Sequence, residues 1–324
     1  MKKIFCLASL LILLRVSLGL AQSGRIELNV NYPAIGGLST ALWVAVEAKT
    51  FEKYGVKVNP IYIPTSALAV RAMLAGELPI GLGAGKPVIE AALAGADLTI
   101  IAGVVNVPAF YLMALPEIRS LQDLKGKTVG VTRLGSATDF TIRYVLRTAK
   151  INPEREVTVL QVGGMPELAA ALSKKLIAAA ALSPPTNLRA QQAGAKVLID
   201  MAQAGVHFPH MVFFGRRSYL RTDQESVLNF LKGYADGLQR MASDKPLAKK
   251  VIQKYIRESN EEVLEATYQY GLDYIVRVPY PAREGIIEVL RQSEHPKAKA
   301  ASPDEFVDVS LIKMLEKDGF FARR

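Results

Sequence analysis

Strand-like apolar segments alternate with helix-like segments along most of the chain. Residues 25–31 alternate apolar and polar side chains as a half-buried strand does, and 98–105 is a mainly apolar run. Turns containing Gly, Asp, Ser or Thr separate such segments from stretches with helical spacing. This alternation predicts an α/β fold with parallel strands joined by right-handed helical crossovers.

The pattern begins again near residue 110 and then becomes mainly helical beyond residue 214. Besides 25–31 and 98–105, strands are predicted at 56–63, 78–82, 110–115, 128–131, 157–161, 178–182, 197–200 and 211–214. The late helices are predicted at 223–243, 247–255, 262–274, 282–292 and 306–317. Because the chain exceeds the length of one average domain, we predict two lobes with a helical C-terminal tail.

The first residues have the three-part layout of a secretory signal peptide. Lys2 and Lys3 are basic, Ile4–Leu14 is apolar, and Gly19-Leu20-Ala21 places small residues where a signal peptidase cleaves. The apolar stretch is short for a bilayer span, which disfavours the alternative of a retained membrane anchor. We predict that a signal peptide comprising residues 1–21 is removed and that the mature protein is soluble and periplasmic.

Composition limits the chemistry of the mature chain. The single cysteine, Cys6, lies inside the predicted leader, so no disulfide, thiolate nucleophile or cysteine-bound metal is expected. Half of the residues are hydrophobic, which at this length is enough for a stable core without disulfides. The formal net charge is +10, but the basic residues are dispersed and lack interleaved aromatic residues. This distribution favours solubility and attraction of anions over binding of nucleic acid.

Five sequence runs match one protein family. They are "LWVAVEAKTFEKYGVKV" (42–58), "LAGELPIG" (74–81), "LAGADLTIIAGVVN" (93–106), "LQDLKGKTVGVTRLGSATDF" (121–140) and "GGMPELAAAL" (163–172). Through these runs the chain resembles the nitrate/sulfonate/taurine-type solute-binding proteins of ABC importers, a group related to the thiamine-pyrimidine synthases. The resemblance implies a type II periplasmic-binding fold, in which two α/β lobes are joined by two crossing strands.

The crossings are expected near 104–107 and 209–212. The first lobe would then comprise 25–107 plus 209–324, and the second lobe 108–208. In such a fold the ligand lies between the lobes.

The loops that follow the predicted strands are the candidate ligand site. In open α/β sheets, ligands bind beyond the carboxyl ends of the strands, where helix N-termini offer free N–H groups. Small hydroxyl residues and glycines occur at five such places. The predicted ligand contacts are Gly37, Ser39, Thr40, Thr65, Ser66, Ala84, Gly85, Arg133, Gly135, Ser136, Thr138, Ser183 and Pro184. For any one of the hydroxyl residues alone, helix capping is the favoured interpretation, whereas five loops together favour a site.

Arg133 is the candidate for contact with an acidic group of the ligand, since a guanidinium offers two parallel hydrogen bonds. A surface ion pair with Asp139 is the alternative. The aromatic residues Tyr32, Phe110 and Phe208 fit either the cleft or the core.

Motifs for catalysis, cofactors and metals are incomplete. The glycine-rich run at 81–87 lacks the residues of a phosphate loop or a dinucleotide fingerprint. His207 and His210 flank Pro209 and have no neighbouring carboxylate with which to hold a metal. We therefore expect no catalytic residue, no cofactor and no metal.

These observations predict the solute-binding component of an ABC importer, which captures a small anionic or aromatic organic solute between its lobes. The expected partners are that ligand and an inner-membrane permease; we expect a monomer that binds no nucleic acid. One alternative is an enzyme of the same fold that acts on a small pyrimidine or carboxylate, although the related synthases depend on cysteines. The other alternative is a periplasmic ligand-sensing partner of a membrane receptor.

Overall fold

The computed structural model describes residues 26–321, so the predicted leader lies outside the described residues. The strands are β1 (Ile26–Tyr32), β2 (Val56–Tyr62), β3 (Ile80–Gly83), β4 (Leu98–Val105), β5 (Tyr111–Ala114), β6 (Thr128–Val131), β7 (Thr158–Gln161), β8 (Ala179–Leu182), β9 (Lys196–Asp200) and β10 (Met211–Arg216). They form two five-stranded sheets with the orders β2-β1-β3-β10-β4 and β7-β6-β8-β5-β9. The predicted fold of two α/β lobes is confirmed.

Helices cover the sheets. They are α1 (Thr40–Glu47), α2 (Ser66–Leu74), α3 (Gly85–Leu93), α4 (Ala137–Thr148), α5 (Met165–Ser173), α6 (Thr186–Gln192), α7 (Arg217–Thr222), α8 (Gln224–Ser243), α9 (Lys245–Ile256), α10 (Glu261–Tyr274), α11 (Arg283–Gln292) and α12 (Ser310–Lys317). Helix α7 was not predicted. The last helix begins at residue 310 rather than 306, because Pro303–Phe306 forms a separate 3-10 turn capped by Ser302.

The expectation of wholly parallel strands is wrong at one strand in each sheet. β1 pairs in parallel with β2 and β3, and β6 pairs in parallel with β7 and β8. β10 runs antiparallel to β3 and β4, and β5 runs antiparallel to β8 and β9. β5 and β10 are the first strands that the chain forms after it passes from one sheet to the other. No helical crossover directly precedes either strand. Each therefore enters its sheet from the end opposite to that at which the parallel strands enter.

Two adjacent extended segments join the lobes, between β4 and β5 and between β9 and β10. The Phe208 N–H donates to the Asn106 carbonyl oxygen at 2.9 Å, and the His210 N–H donates to that of Val105 at 3.0 Å. These crossings lie close to the positions expected from the sequence. The exact lobe boundaries, 25–107 plus 209–324 and 108–208, stay a prediction.

The first lobe has a core of large side chains. Trp43, Phe51, Phe213 and Phe230 are fully buried, and the rings of Phe51 and Phe230 stack with centroids 5.2 Å apart. The helices after β10 add to this core, which includes residues of α8, α9, α10 and α12. Within residues 26–321, no helix combines the length and apolarity needed to cross a membrane.

Candidate ligand-binding site

A cleft of about 250 Å³ lies between the two lobes, beyond the carboxyl ends of strands from both sheets. The first lobe contributes the loop after β1 (33–38) and the end of β2 with its following turn (62–66). The second lobe contributes residues of the loops after β6, β7 and β8. The crossing segments contribute Phe110 and His210. The topology therefore brings equivalent strand ends of the two sheets to one shared space.

Helix N-termini from both lobes open onto this cleft. Thr65 precedes α2, and its Oγ1 accepts from the Leu68 N–H at 3.3 Å. Gly164 precedes α5 and also lines the cleft. Unpaired N–H groups and the positive end of the helix dipole favour an anion or a polar acceptor at such a place.

Three hydroxyl groups lie together at the start of α4. The Oγ1 atom of Thr132 is 3.0 Å from the Ser136 Oγ and 2.9 Å from the Thr138 Oγ1, and the last two are 2.9 Å apart. The Thr132 N–H donates to the Thr138 Oγ1 at 3.0 Å. These mutual bonds hold the hydroxyl group of each residue in place before any ligand arrives, so the second lobe presents a preorganised polar wall.

The first lobe presents a more apolar wall. Ile35, Leu38, Tyr62 and Ile256 line the cleft on this side. The Tyr62 ring lies 5.5 Å from that of Tyr32, and burial raises the pKa of Tyr62, which keeps its hydroxyl group protonated. This wall is suited to the carbon body of a ligand.

Charged side chains are scarce in the cleft. Among the described residues that line it, Arg189 is the one with a permanent charge, and none is Asp or Glu. The Arg189 guanidinium is 48% exposed and lies 3.2 Å from a carboxylate oxygen of Glu258, which belongs to the other lobe.

The lobes touch beside this ion pair. A Cβ atom added at Gly36 would lie 2.7 Å from the carbonyl oxygen of Pro184. Gly36 has an extended backbone (φ −168°) that any residue adopts, so it is the approach of the second lobe that demands glycine here.

Eight of the thirteen residues predicted as ligand contacts line the cleft. They are Gly37, Thr65, Ser66, Ala84, Ser136, Thr138, Ser183 and Pro184. Their contact with a ligand stays a prediction, but the fold brings them together from five loops, as the strand-end argument expects.

The other five predicted residues are not among those that line the cleft. Thr40 is buried in α1, and the Ser39 hydroxyl group donates to the Ala34 carbonyl oxygen at 2.8 Å. The Gly85 N–H donates to the Pro209 carbonyl oxygen at 2.8 Å, and the Gly135 N–H donates to a carboxylate oxygen of Asp139 at 2.8 Å. Contact of these four residues with a ligand also stays a prediction.

Arg133 is the fifth residue outside the lining. The alternative expected for it is not formed, because Asp139 pairs with the Arg143 Nε at 2.7 Å. A contact between Arg133 and an anionic ligand stays a prediction.

Several lining residues were not predicted from the sequence. Thr132 directly follows β6 and could have been found by the same strand-end rule. Arg189 and His210 could not have been found by this rule. Arg189 lies on the flank of a helix, and His210 enters the cleft through a crossing segment. Of the three aromatic candidates, Phe110 lines the cleft, whereas Phe208 is fully buried and stacks on Phe140 with centroids 4.4 Å apart. Tyr32 packs edge-on against Trp43, 5.5 Å away.

One protein family matches most of the sequence that forms these two lobes. The family described as NMT1/THI5 like matches residues 38–246, more than half of the chain. The chain belongs to the NMT1/THI5-like family. The resemblance inferred from the sequence is thereby confirmed at the level of the family.

Named relatives and solved structures agree with this membership. A Brachyspira hyodysenteriae protein, named provisionally as an ABC transporter periplasmic binding protein, is 23% identical over 237 residues, 68% of this chain and 67% of its own. The Escherichia coli periplasmic aliphatic sulphonate binding protein SsuA superposes with a TM-score of 0.68 at 18% identity, covering 91% of this chain and 94% of its own. The nitrate-binding protein NrtA of Synechocystis PCC 6803 has a TM-score of 0.67 at 11% identity, with 90% and 88% covered. These two structures share the fold.

Proposed function

We propose that this protein is the periplasmic solute-binding component of an ABC importer and that its interlobe cleft captures one small organic solute. The main supporting observation is that strand ends of two sheets with the same topology converge on one cleft. Family membership and the name of the Brachyspira relative support the same conclusion.

The cleft chemistry favours a solute with an acceptor group and an apolar body. Helix N-termini, the hydroxyl groups of Thr132, Ser136 and Thr138, and Arg189 are suited to an anionic or carbonyl oxygen. The apolar wall around Tyr62 is suited to a carbon skeleton. The names of the two structural neighbours, which specify sulphonate and nitrate, support an anionic group.

Capture requires the lobes to move. The two crossing segments are the only covalent links between the sheets in residues 26–321, so a rotation about them would open and close the cleft. In this proposal the lobes are 25–107 plus 209–324 and 108–208, and the closed form docks on the permease. The solute is released without covalent change, and the protein is not an enzyme.

A ligand screen on the mature protein tests the proposal. Residues 22–324 would be heated with nitrate, taurine, alkanesulfonates, pyrimidines and aromatic acids in separate samples. A true ligand at 100 times its Kd should stabilise the folded protein by about 2.7 kcal/mol. Recovery of that ligand unchanged after incubation would separate binding from catalysis, whereas a chemically altered ligand would favour an enzyme. If no compound raises the Tm, the proposed solute classes are wrong.

A further inference from the structure

His210 occupies an unusual place between the two lobes. It immediately precedes β10, is 7% exposed, and packs its ring over Phe110 with centroids 4.4 Å apart. It also lines the interlobe cleft. The ring packs against aromatic side chains and also borders the cleft. Its two nitrogen atoms therefore lie in different environments.

The backbone determines which ring nitrogen has the hydrogen. The Ala109 N–H points at the His210 Nδ1 from 2.8 Å. Two N–H groups facing each other at this distance would repel, so Nδ1 is the acceptor and the hydrogen of the neutral ring is on Nε2. The Val107 carbonyl oxygen lies farther from Nδ1, at 3.2 Å, and already accepts from the Ala109 N–H at 2.8 Å.

The neighbouring backbone is held firmly in this position. The Tyr270 hydroxyl group donates to the Ala109 carbonyl oxygen from α10. Burial lowers the pKa of His210 to about 4, so the imidazole has a single hydrogen at neutral pH. Both observations agree with a fixed, neutral ring.

The Nε2–H group has no acceptor among residues 26–321. The described hydrogen bonds of the His210 side chain all involve Nδ1. Because His210 lines the cleft, the cleft is the space in which an acceptor for this Nε2–H can lie.

We propose that His210 is a specificity-determining ligand contact, whose neutral imidazole donates its Nε2–H to an oxygen acceptor on the bound solute. This inference rests on the proposed function of the cleft. The solute class that fits is an oxyanion, a carboxylate or a sulfonate, attached to an apolar body that packs near Phe110. A solute with only donors at this end would leave the Nε2–H unpaired and is discriminated against.

Two substitutions test the roles of the two ring nitrogens separately. The amide oxygen of His210→Asn stands where Nδ1 accepts, so this variant keeps the bond from Ala109 and lacks the distal donor. The amide nitrogen of His210→Gln reaches the position of Nε2, so this variant keeps the donor and lacks the acceptor. The probes are benzoate, benzenesulfonate and butanesulfonate, with benzylamine as the cationic control.

For an oxyanion probe that binds the parent, we expect His210→Asn to keep the Tm of the empty protein and to bind at least about tenfold more weakly. His210→Gln should have a lower Tm and bind more tightly than His210→Asn. Unchanged affinity in His210→Asn, with a loss of Tm only in His210→Gln, would show a structural role alone and overturn the proposal.

Nitrogen-15 NMR of the imidazole rings gives a readout that needs no ligand. The sequence has three histidines, so the His210 signals can be assigned with the two variants. We expect the Nε2–H tautomer, unchanged between pH 6 and pH 8; a hydrogen on Nδ1 or a cationic ring would refute the inference. A parent protein that binds none of the probes would count against the proposed function for these solutes, while the NMR result would still determine whether the donor exists.

Discussion

The two lobes have the same strand order but are built from different side chains. In both sheets, the strand that enters from the other lobe is inserted antiparallel at the fourth position. The first lobe fills its core with Trp43, Phe213 and Phe230, whereas the centre of the second sheet is the small-residue strand Ala179–Leu182. The backbone arrangement therefore does not depend on large core side chains, and each lobe adapts the same topology to a different core.

The strand ends differ in the same way. The loop after β1 presents the run Pro33–Leu38 to the cleft, while the loop after β6 presents the hydroxyl groups of Thr132, Ser136 and Thr138. Equivalent positions in the topology thus provide an apolar wall in one lobe and a polar wall in the other. The comparison suggests that topology sets where a ligand binds and that residue type sets which part of the ligand each lobe contacts.

The largest expected effect is on the aromatic core of the first lobe. Phe230→Ala should lower the free energy of unfolding by about 3–5 kcal/mol, because it leaves a cavity beside Phe51 and Phe213. Trp43 is the single tryptophan, so its fluorescence during urea unfolding reports on the first lobe alone.

Leu172→Ala, in the buried face of α5, is the matched change in the second lobe. We expect it to move the Trp43 transition less than Phe230→Ala does. Equal shifts would mean that the two lobes unfold as one cooperative unit.

The second prediction concerns the crossing that both lobes share. The pKa of His210 is lowered from 6.5 to about 4 by burial, so below pH 6.5 the unfolded chain binds a proton that the folded protein does not. Stability should therefore fall by about 3 kcal/mol as the pH decreases from 6.5 to 4, and stay level at higher pH as far as this group is concerned.

Urea unfolding of the parent and of His210→Asn at several pH values measures this contribution. The variant has no group that titrates in this range, so its stability should depend less on pH. Parallel curves for the two proteins would show that the native His210 titrates normally.

The third prediction tests the contact between the lobes. Gly36→Val places a branched side chain against the Pro184 carbonyl oxygen. For any solute that stabilises the parent, we therefore expect the affinity of this variant to be lower by about tenfold or more. The Tm of the empty protein should change little, because the proposed opening about the crossing segments separates the two lobes at this point. Ile26→Val, at an exposed position of the first lobe outside the cleft lining, is the control. Equal affinity of Gly36→Val and the parent would mean that the lobes do not need this approach.

The smallest effect is expected at the rim. Arg189 lines the cleft and Arg133 does not, so Arg189→Ala should weaken binding of an anionic solute by about three- to tenfold. The contact predicted between Arg133 and an anionic solute is tested beside it with Arg133→Ala. Calorimetric titration of both variants with the same solute decides which guanidinium contacts the ligand, and a larger loss in Arg133→Ala would favour the contact predicted from the sequence.

Local residue patterns specify the secondary-structure elements and the places where ligand loops begin. Strands such as Leu98–Val105 and Thr128–Val131 have the predicted bounds, because mainly apolar runs between turn residues specify them locally. The rule that ligands bind after strand ends also located eight lining residues without any structure.

Features that depend on contacts between distant parts of the chain could not be predicted from local patterns. The antiparallel insertion of β5 and β10 depends on how the chain passes between lobes, which no local pattern records. Ser39 and Thr65 look alike in sequence, yet the Ser39 hydroxyl group turns to the Ala34 carbonyl oxygen while Thr65 lines the cleft. His210 becomes a cleft residue because a crossing segment sets its ring between the Ala109 N–H and the open space, and that contact joins residues 101 positions apart.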